Sequence, residues 1–259
     1  MSAVSKKNKS QFGNIFKIIA TAIKEDVPCG DITSRHTVPI KAGAEGYAIS
    51  RDDYVVSGID IARMIYLHVD NNIKFKSFFK NGQFIKKGQK LYSVKGNARS
   101  ILLAERTVLN IIGHMMGIAT KTRKFVRLVK GTKTKILDTR KTVPGIRILQ
   151  RLAVKDGGAF NHRFSLSDAV LVKENHISIC GGIKKVLKKL SHLKNIRTEI
   201  EIRNLDELNE ILGSKFQPDI IMLDNMSPAM VKKAVKINKK RVKLEVSGGV
   251  NEKTIRTYA

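Results

Sequence analysis

The sequence predicts an α/β protein with two domains, a small sheet domain followed by a larger unit of parallel βα repeats. Residues 46–96 form short alternating stretches, and Gly82 and Gly88 mark turns between them. Beyond residue 130, short apolar strands alternate with amphipathic helices, which is typical of parallel βα units. With 259 residues and 42% hydrophobic content, the chain is long enough for a barrel and a smaller companion domain.

Two helices flank the predicted sheet domain. Helical spacing of apolar residues predicts the first over 11–26, where the residues are Phe12, Ile15, Phe16, Ile19 and Ile23. Pro28 and Gly30 end that pattern. The second is predicted over 101–129 by Leu102, Leu109, Ile112, Met116 and Ala119. Gly113 and Gly117 lie one turn apart in it, a spacing more typical of close helix packing than of chemistry.

Five strands are predicted in the second part of the chain, at 133–140, 168–176, 198–204, 219–226 and 243–249. Helices are predicted near 182–192, 204–213, 227–239 and from 251 onward. We expect Ser227 and Pro228 to begin the third of these helices, and Asn251 to cap the fourth.

Each predicted strand ends in charged or small polar residues. They are Arg140 and Lys141, Lys173, Glu201, Asp224, and Ser247 with Gly248 and Gly249. Because the carboxyl ends of parallel barrel strands converge on one mouth, we expect these groups to meet.

Alternation in the 198–204 strand places Glu199 and Glu201 opposite Ile200 and Ile202. If the isoleucines contact outer helices, the carboxylates point into the barrel. A salt bridge to one of the many lysines is the alternative role for such a carboxylate.

The cationic residues near this mouth suggest an anionic ligand with several charges. They are Arg140, Lys141, His162, Arg163 and Lys173, and only two or three carboxylates oppose them. Arginine binds carboxylate or phosphate bidentately, while lysine acts as a mobile point charge. The backbone N–H groups of 247–250 suit a phosphate, and the two carboxylates suit magnesium on a pyrophosphate. A phosphorylated sugar donor and a carboxylated acceptor fit these parts.

The excess positive charge does not by itself indicate a nucleic-acid partner. Lys+Arg total 49 against 22 Asp+Glu, a net charge of +27, but the lysines are spread along the chain. Aromatic residues make up only 6%, and tryptophan is absent. Because charges further apart than about 8 Å are largely screened at physiological salt, a diffuse excess does not build a binding site.

The remaining composition favours a cytoplasmic protein without a membrane partner. Cys29 and Cys180 have no metal-type spacing and are expected to be reduced thiols. The first dozen residues are polar and basic, unlike a signal peptide, and no unbroken apolar run approaches membrane-spanning length.

Several sequence blocks together resemble quinolinate phosphoribosyltransferases, in order and spacing, from about residue 20 to the last residue. The blocks are EDVPCGDITS, AERTVLNIIGHMMGIATKT, LDTRKTVPGIR, GGAFNHRFSLSDAVLVKENHI, EIEIRNLDEL, IMLDNM and LEVSGGV. The resemblance implies an N-terminal α/β sandwich domain over 1–105 with a leading helix. It also implies an incomplete parallel α/β barrel over 106–259, of the type II phosphoribosyltransferase kind, and a homodimer.

The resemblance implies a reaction as well as a fold. Family enzymes join quinolinate to phosphoribosyl pyrophosphate in the presence of magnesium, releasing pyrophosphate and carbon dioxide. The product is nicotinate mononucleotide, on the route to NAD.

Matching motif positions imply roles for individual residues. Those that look like ligands of the quinolinate carboxylates are Arg140, His162, Arg163 and Lys173, with Thr139 beside them and Arg106 reaching in from the neighbouring subunit. Lys141 resembles a contact to the donor phosphates. Glu201 and Asp224 resemble the carboxylates that face the ribose and its magnesium, and with Lys141 form the expected catalytic set. Ser247, Gly248 and Gly249 resemble part of the phosphate-binding rim.

The sequence departs from the family pattern in three places. Ala159 replaces a usual glycine, and Met116 a usual serine. Beyond Tyr258 and Ala259, the family's further strand, VGA-type loop and tail are expected but absent. One alternative is therefore an inactive truncated copy that acts as a basic binding protein. Another is the pyrophosphorylase-like paralogue associated with molybdenum transport, although KENHI and TRKTVPGIR favour the quinolinate branch.

Overall fold

The computed structural model describes residues 3–259, with side chains from residue 13 onward. The chain divides into two compact units. The N-terminal unit comprises the residues up to Arg127 together with Lys135–His162. The C-terminal unit comprises Leu128–Thr134 together with Arg163–Ala259. The domain boundary between 105 and 106 stays a prediction, and it falls inside a long helix.

Five helices belong mainly to the N-terminal unit: α1 (Ala3–Asp26), α2 (Ile32–Thr37), α3 (Ile59–Val69), α4 (Ala98–Leu128) and α5 (Arg147–Asp156). Helix α1 includes the predicted 11–26 segment and buries Ile15 and Ile19, while Phe16 is exposed. The side chain of Phe12 lies outside the described residues.

The first unit also holds two antiparallel sheets, as the alternating stretches predict. Their strands are β1 (Gly43–Ile49), β2 (Tyr54–Val55), β3 (Lys74–Ser77), β4 (Phe84–Ile85) and β5 (Lys90–Asn97), in the orders β1-β5-β3 and β2-β4. Gly82 and Gly88 lie in turns with φ of +83°, a conformation that favours glycine. Helix α3 was not predicted within this region, although its buried residues follow helical spacing from Ile59 to Tyr66.

Helix α4 confirms the prediction over 101–129, with two corrections. Ile112, Met116 and Ala119 are buried, but Leu102 is 47% exposed. A Cβ atom added at Gly113 or Gly117 would meet nothing within 4 Å in the described chain, so these glycines do not mark close packing inside it. By length and composition alone α4 could cross a membrane, although 39% of its apolar window is already buried inside the protein.

The C-terminal unit is built on a four-stranded parallel sheet in the order β6-β7-β8-β9. The strands are β6 (Val170–Val172), β7 (Thr198–Ile202), β8 (Ile220–Asp224) and β9 (Lys243–Ser247), and each was predicted. The strand predicted at 133–140 is wrong. Within it only Leu137 forms a bridge, an isolated parallel one to Phe160 made by two backbone hydrogen bonds. The contacts beyond it come from the Asp138 side chain, which accepts from Asn161 and from the His162 N–H, and not from a longer ladder.

The helices of this unit are α6 (Glu174–Cys180), α7 (Ile183–Leu190), α8 (Leu205–Leu212), α9 (Pro228–Asn238) and α10 (Ile255–Tyr258). Helix α6 was not predicted. Ser227 caps α9 as expected, since its side chain accepts a hydrogen bond from the N–H of Met230. The side chain of Asn251 accepts hydrogen bonds from the backbone N–H groups of Lys253 and Thr254. These bonds close a turn that precedes α10, which begins at Ile255, so Asn251 is not the N-cap residue of that helix.

The alternation predicted in β7 is confirmed. Ile200 and Ile202 are fully buried in a core that also contains Leu187 of α7 and Leu208 of α8. The intervening Glu199 and Glu201 therefore lie on the opposite face of the sheet from these helices.

Candidate active site

The carboxyl edge of the parallel sheet brings together side chains from neighbouring strands. Lys173 follows β6, and its Nζ lies 2.8 Å from Oε2 of Glu201 on β7. The lysine side chain is 50% exposed and the glutamate side chain 12%. A carboxylate so nearly buried needs a cationic partner, and Lys173 provides it. The salt bridge to a lysine is therefore seen, and it joins two of the residues expected at the mouth, Lys173 and Glu201.

Asp224 and Ser247 end the next two strands and are paired in the β8–β9 register. The Ser247 hydroxyl donates to Oδ1 of Asp224 at 2.8 Å, and the side-chain amide of Asn225 donates to Oδ2 at 2.8 Å. Each oxygen of this carboxylate is thus held by a neighbour, which fixes its orientation.

Gly248 and Gly249 follow Ser247 with φ of +79° and +65°. A Cβ atom at Gly248 would lie 2.1 Å from Oδ1 of Asn225 and 3.0 Å from its backbone N, so the Asn225 side chain would have to move. A Cβ atom at Gly249 would meet nothing within 4 Å. The turn therefore requires glycine, and its second glycine leaves the backbone approachable.

In the N-terminal unit, Asp138 organises the segments that carry four predicted site residues. Its carboxylate accepts the backbone N–H of His162 at 2.7 Å, accepts the side-chain amide of Asn161, and lies 3.4 Å from Nε of Arg151. The Asp138 and Arg151 side chains are almost completely buried. This hub fixes the position of Thr139, Arg140 and Lys141, which follow it directly.

Arg140 has a buried Nε for which the described residues provide no hydrogen-bond acceptor. An unsatisfied buried donor costs about 1–3 kcal/mol, and an anion would supply the missing acceptor. Lys141 beside it is exposed, and its backbone N–H donates to Oγ1 of Thr139 at 3.1 Å.

The other predicted site residues lie on different elements. Arg163 begins the second part of the C-terminal unit, and its Nη1 donates to the carbonyl oxygen of Ala169 at 3.0 Å. Arg106 is exposed on α4. The gathering of the Arg140 segment and the sheet edge around one substrate stays a prediction.

Sequence reasoning missed two residues that support this arrangement, Glu245 and Asp138. Glu245 of β9 lies on the same face of the sheet as Glu199 of β7, with carboxylate oxygens within 4.8 Å of one another. Alternation in β9 could have indicated Glu245, because Leu244 and Val246 pack on the helical side. Asp138 precedes the TRK motif directly, but interpreting that segment as a strand hid its role.

Comparison with known proteins decides the family. The protein-family model of the quinolinate phosphoribosyl transferase N-terminal domain matches residues 31–116, and the family model of its C-terminal domain matches residues 118–259. The chain belongs to the quinolinate phosphoribosyltransferase family. The chloroplastic nicotinate-nucleotide pyrophosphorylase [carboxylating] of Arabidopsis thaliana is 37% identical over 257 residues, covering 92% of this chain and 73% of the relative. The carboxylating enzyme of Mycobacterium leprae is 37% identical over 248 residues, covering 93% and 87%.

Solved structures agree with this quinolinate phosphoribosyltransferase assignment. The nicotinate-nucleotide pyrophosphorylase of Francisella tularensis superposes with a TM-score of 0.87 at 40% identity, covering 95% of this chain and 87% of that one. The enzyme of Ehrlichia chaffeensis gives 0.88 at 39% identity, covering 94% and 88%. The family and the fold class, an N-terminal sheet domain with an incomplete parallel barrel, are thereby confirmed.

Proposed function

We propose that this chain transfers the phosphoribosyl group of phosphoribosyl pyrophosphate to quinolinate with loss of carbon dioxide, giving nicotinate mononucleotide for NAD synthesis. The observation that carries the proposal is the sheet edge of the C-terminal unit. There, Lys173, Glu201, Asp224 and Ser247 form paired contacts at the ends of neighbouring strands. This is the placement expected of catalytic groups in α/β barrels.

Quinolinate carries two carboxylates and requires cationic partners. The unsatisfied Nε of Arg140 supports a role as one ligand, because a guanidinium binds a carboxylate in its own plane. Lys173 supplies a mobile charge at the sheet edge. His162 and Arg163 complete the proposed acceptor site, with Thr139 beside them.

Glu201 is proposed to stabilise the sugar in the transition state. When the bond from the anomeric carbon to pyrophosphate breaks, the electron pair leaves with pyrophosphate and the sugar gains oxocarbenium character. An ionised carboxylate fixed beside it lowers this barrier. The quinolinate nitrogen then donates its lone pair to the anomeric carbon and becomes cationic.

Decarboxylation follows from the charge on that nitrogen. The bond between the ring and the adjacent carboxylate breaks, carbon dioxide leaves, and the electron pair stays on the ring carbon next to the cationic nitrogen. A proton from solvent then completes nicotinate mononucleotide. The proposed cationic ligands contribute by orienting the acceptor.

Magnesium is the proposed cofactor, and the carboxylates present suit it chemically. Glu201 and Asp224 offer hard oxygen donors, which magnesium prefers. Lys173, Asn225 and Ser247 already donate hydrogen bonds to three of these oxygens. The two carboxylates would therefore need the pyrophosphate of the donor as a further ligand to hold magnesium. When bound, the ion would neutralise charge on the leaving pyrophosphate. Lys141 and the backbone of Gly248 and Gly249 would contact the donor's phosphates.

A homodimer is proposed, with Arg106 reaching the partner's site. One face of α4 supports it: Leu102, Arg106, Gly113 and Gly117 recur at helical spacing. All four are exposed, and the glycines leave room for close approach of another surface. We propose that this dimer works in the cytoplasm, without a nucleic-acid or membrane partner.

The direct test of the reaction is formation of nicotinate mononucleotide from quinolinate and phosphoribosyl pyrophosphate. With magnesium we expect equal amounts of product, pyrophosphate and carbon dioxide, and chelation of the metal should stop the reaction. Tight quinolinate binding without turnover would contradict the catalytic proposal. Absence of both binding and turnover would favour the inactive basic copy instead.

A further inference from the structure

Two ion pairs lie side by side at the ends of β6 and β7. The first joins Lys173 to Glu201, as described above. The second joins Glu174, the first residue of α6, to Nη1 of Arg203, the residue after β7. Lys173 and Glu174 are consecutive, so the two pairs join the same two strand ends.

The position of these pairs relative to the β ladder is informative. Pairing between β6 and β7 ends at Val172 with Ile200. Beyond that point the two strand ends have no further ladder, yet this is where the proposed catalytic residues lie. The ion pairs continue the connection across the gap.

Both members of the second pair lie at the N-terminus of a helix. Glu174 is the first residue of α6, and it follows the N-cap residue Lys173, whose backbone N–H donates to Nδ1 of His176 at 3.0 Å. The backbone N–H of Arg203 donates to Oε2 of Glu207 in the first turn of α8, at 2.7 Å. The pair therefore joins the N-terminal ends of α6 and α8, where hydrogen bonds hold the backbone beside both residues.

Stability alone gives little reason for the Glu174–Arg203 pair. Both side chains are about half exposed, and exposed ion pairs contribute about 0–1 kcal/mol to folding. The pair does line a cavity of about 130 Å³ together with Ile177, Ser178, Glu207 and the catalytic Glu201. Its place beside Glu201 suggests a role in positioning.

We propose that Glu174 and Arg203 are positioning residues for phosphoribosyl transfer: their ion pair sets the spacing between the strand ends that carry Lys173 and Glu201. The inference rests on the proposed function of that site. When the pair is broken, the Lys173–Glu201 contact loosens. Quinolinate then binds less well, because Lys173 is displaced, and turnover falls because Glu201 is displaced.

The test compares Arg203→Met with the charge-preserving Arg203→Lys. We expect Arg203→Met to lower kcat and to raise KM for quinolinate, reducing kcat/KM by about fivefold or about 1 kcal/mol. Glu174→Gln should do the same, and Arg203→Lys should recover most of the loss. Lys95→Gln, which removes the exposed Glu45–Lys95 pair of the N-terminal unit, is the matched control and should change neither parameter.

Crystal structures keep this test separate from the proposed function. In Arg203→Met we expect the 2.8 Å contact between Lys173 and Glu201 to lengthen beyond salt-bridge distance. An unchanged contact, or unchanged kinetics in an active enzyme, would overturn the positioning role. The positioning role would also be overturned if Arg203→Lys and Arg203→Met lost the same activity and showed the same fall in melting temperature, because the loss would then follow from stability. Failure of the wild-type protein to make nicotinate mononucleotide would instead count against the proposed reaction, and the crystallographic comparison would still decide the positioning role.

Discussion

Two positively charged regions of the C-terminal unit differ in what surrounds their cations. At the carboxyl edge of the sheet, Lys173 and Arg203 each contact a glutamate on the neighbouring strand end. On α7 the four lysines are exposed, and none forms an ion pair with the part of the chain that the structure describes: Lys184, Lys185, Lys188 and Lys189. The difference teaches that a net charge of +27 can be spread over surfaces that form no ion pairs, so it does not by itself indicate a site. We propose that the opposed charges on adjacent strand ends mark the active site instead.

A more deeply buried charge pair, Asp138 with Arg151, lies in the N-terminal unit, and we expect its loss to have the largest effect of the changes below. Asp138→Ala leaves Arg151 buried without that carboxylate and removes the acceptor for the His162 N–H. Breaking such a pair costs about 3–5 kcal/mol. Urea unfolding should show this fall, while Asp26→Ala at an exposed site should change stability by less than about 1 kcal/mol. Equal stability of the two variants would contradict the hub assigned to Asp138.

Glu201→Gln tests the catalytic half of the sheet edge. The substitution keeps the size of the side chain but removes the charge proposed to stabilise the sugar cation. We expect kcat to fall by about 10²–10³, with KM changed far less. Glu210→Gln on α8, away from the sheet edge, is the control and should retain turnover. Steady-state assays with a wild-type kcat for Glu201→Gln would remove this residue from the mechanism.

Arg140→Ala tests the acceptor side of the proposed site. The guanidinium of Arg140 has a buried Nε for which the described residues provide no acceptor. Removal of the guanidinium should therefore weaken quinolinate binding by about tenfold to a hundredfold while the fold is kept. Isothermal titration calorimetry measures this directly. An unchanged dissociation constant would show that Arg140 does not contact the substrate.

Asp156 offers a smaller contrast, a half-buried carboxylate in the N-terminal unit. Burial raises the pKa of Asp156 above its usual range, and the nearby charge of Asp60 raises this pKa further. The hydrogen bond from the Ser57 hydroxyl lowers the pKa and offsets part of this rise. A raised folded pKa gives stability that is present below the unfolded pKa and is lost as pH rises through the folded pKa. Asp156→Asn should therefore raise the melting temperature at pH 7 by about 2 °C, with the gain vanishing near pH 3.5. If the gain in melting temperature of Asp156→Asn instead grew as the pH was lowered, the raised pKa of Asp156 would be contradicted.

Neutralising the lysines of α7 should have the smallest effect. Changing all four to glutamine removes much of the local charge, but none of these residues belongs to the proposed site. Because such exposed charges are screened at physiological salt, we expect kcat/KM to stay within about twofold of the wild-type value. A loss of tenfold or more would mean that the unpaired cations of α7 also serve the substrate.

The sequence predicted the strand ends well because a period of two places residues on defined faces. Asp224 and Ser247 each end a strand that the pattern located, Glu201 is one residue from the end of another, and the three strands are neighbours. Ser227 and Pro228 were likewise found from local capping chemistry alone. Local rules suffice where the signal lies within a few residues.

The missed features depend on contacts between residues distant in sequence. Asp138 contacts His162 and Arg151, and Glu174 contacts Arg203, which directly follows β7. No periodicity within one segment encodes such pairings. Helices α3 and α6 were missed for another reason, since α3 lies among short strands and α6 has only seven residues.

A crystal structure of the protein with quinolinate tests the central claim most directly. The account predicts that the two quinolinate carboxylates contact Arg140 and Lys173, next to Glu201. Quinolinate bound in the groove beside α7, which is lined by Lys184, Lys188 and Lys215, would contradict it.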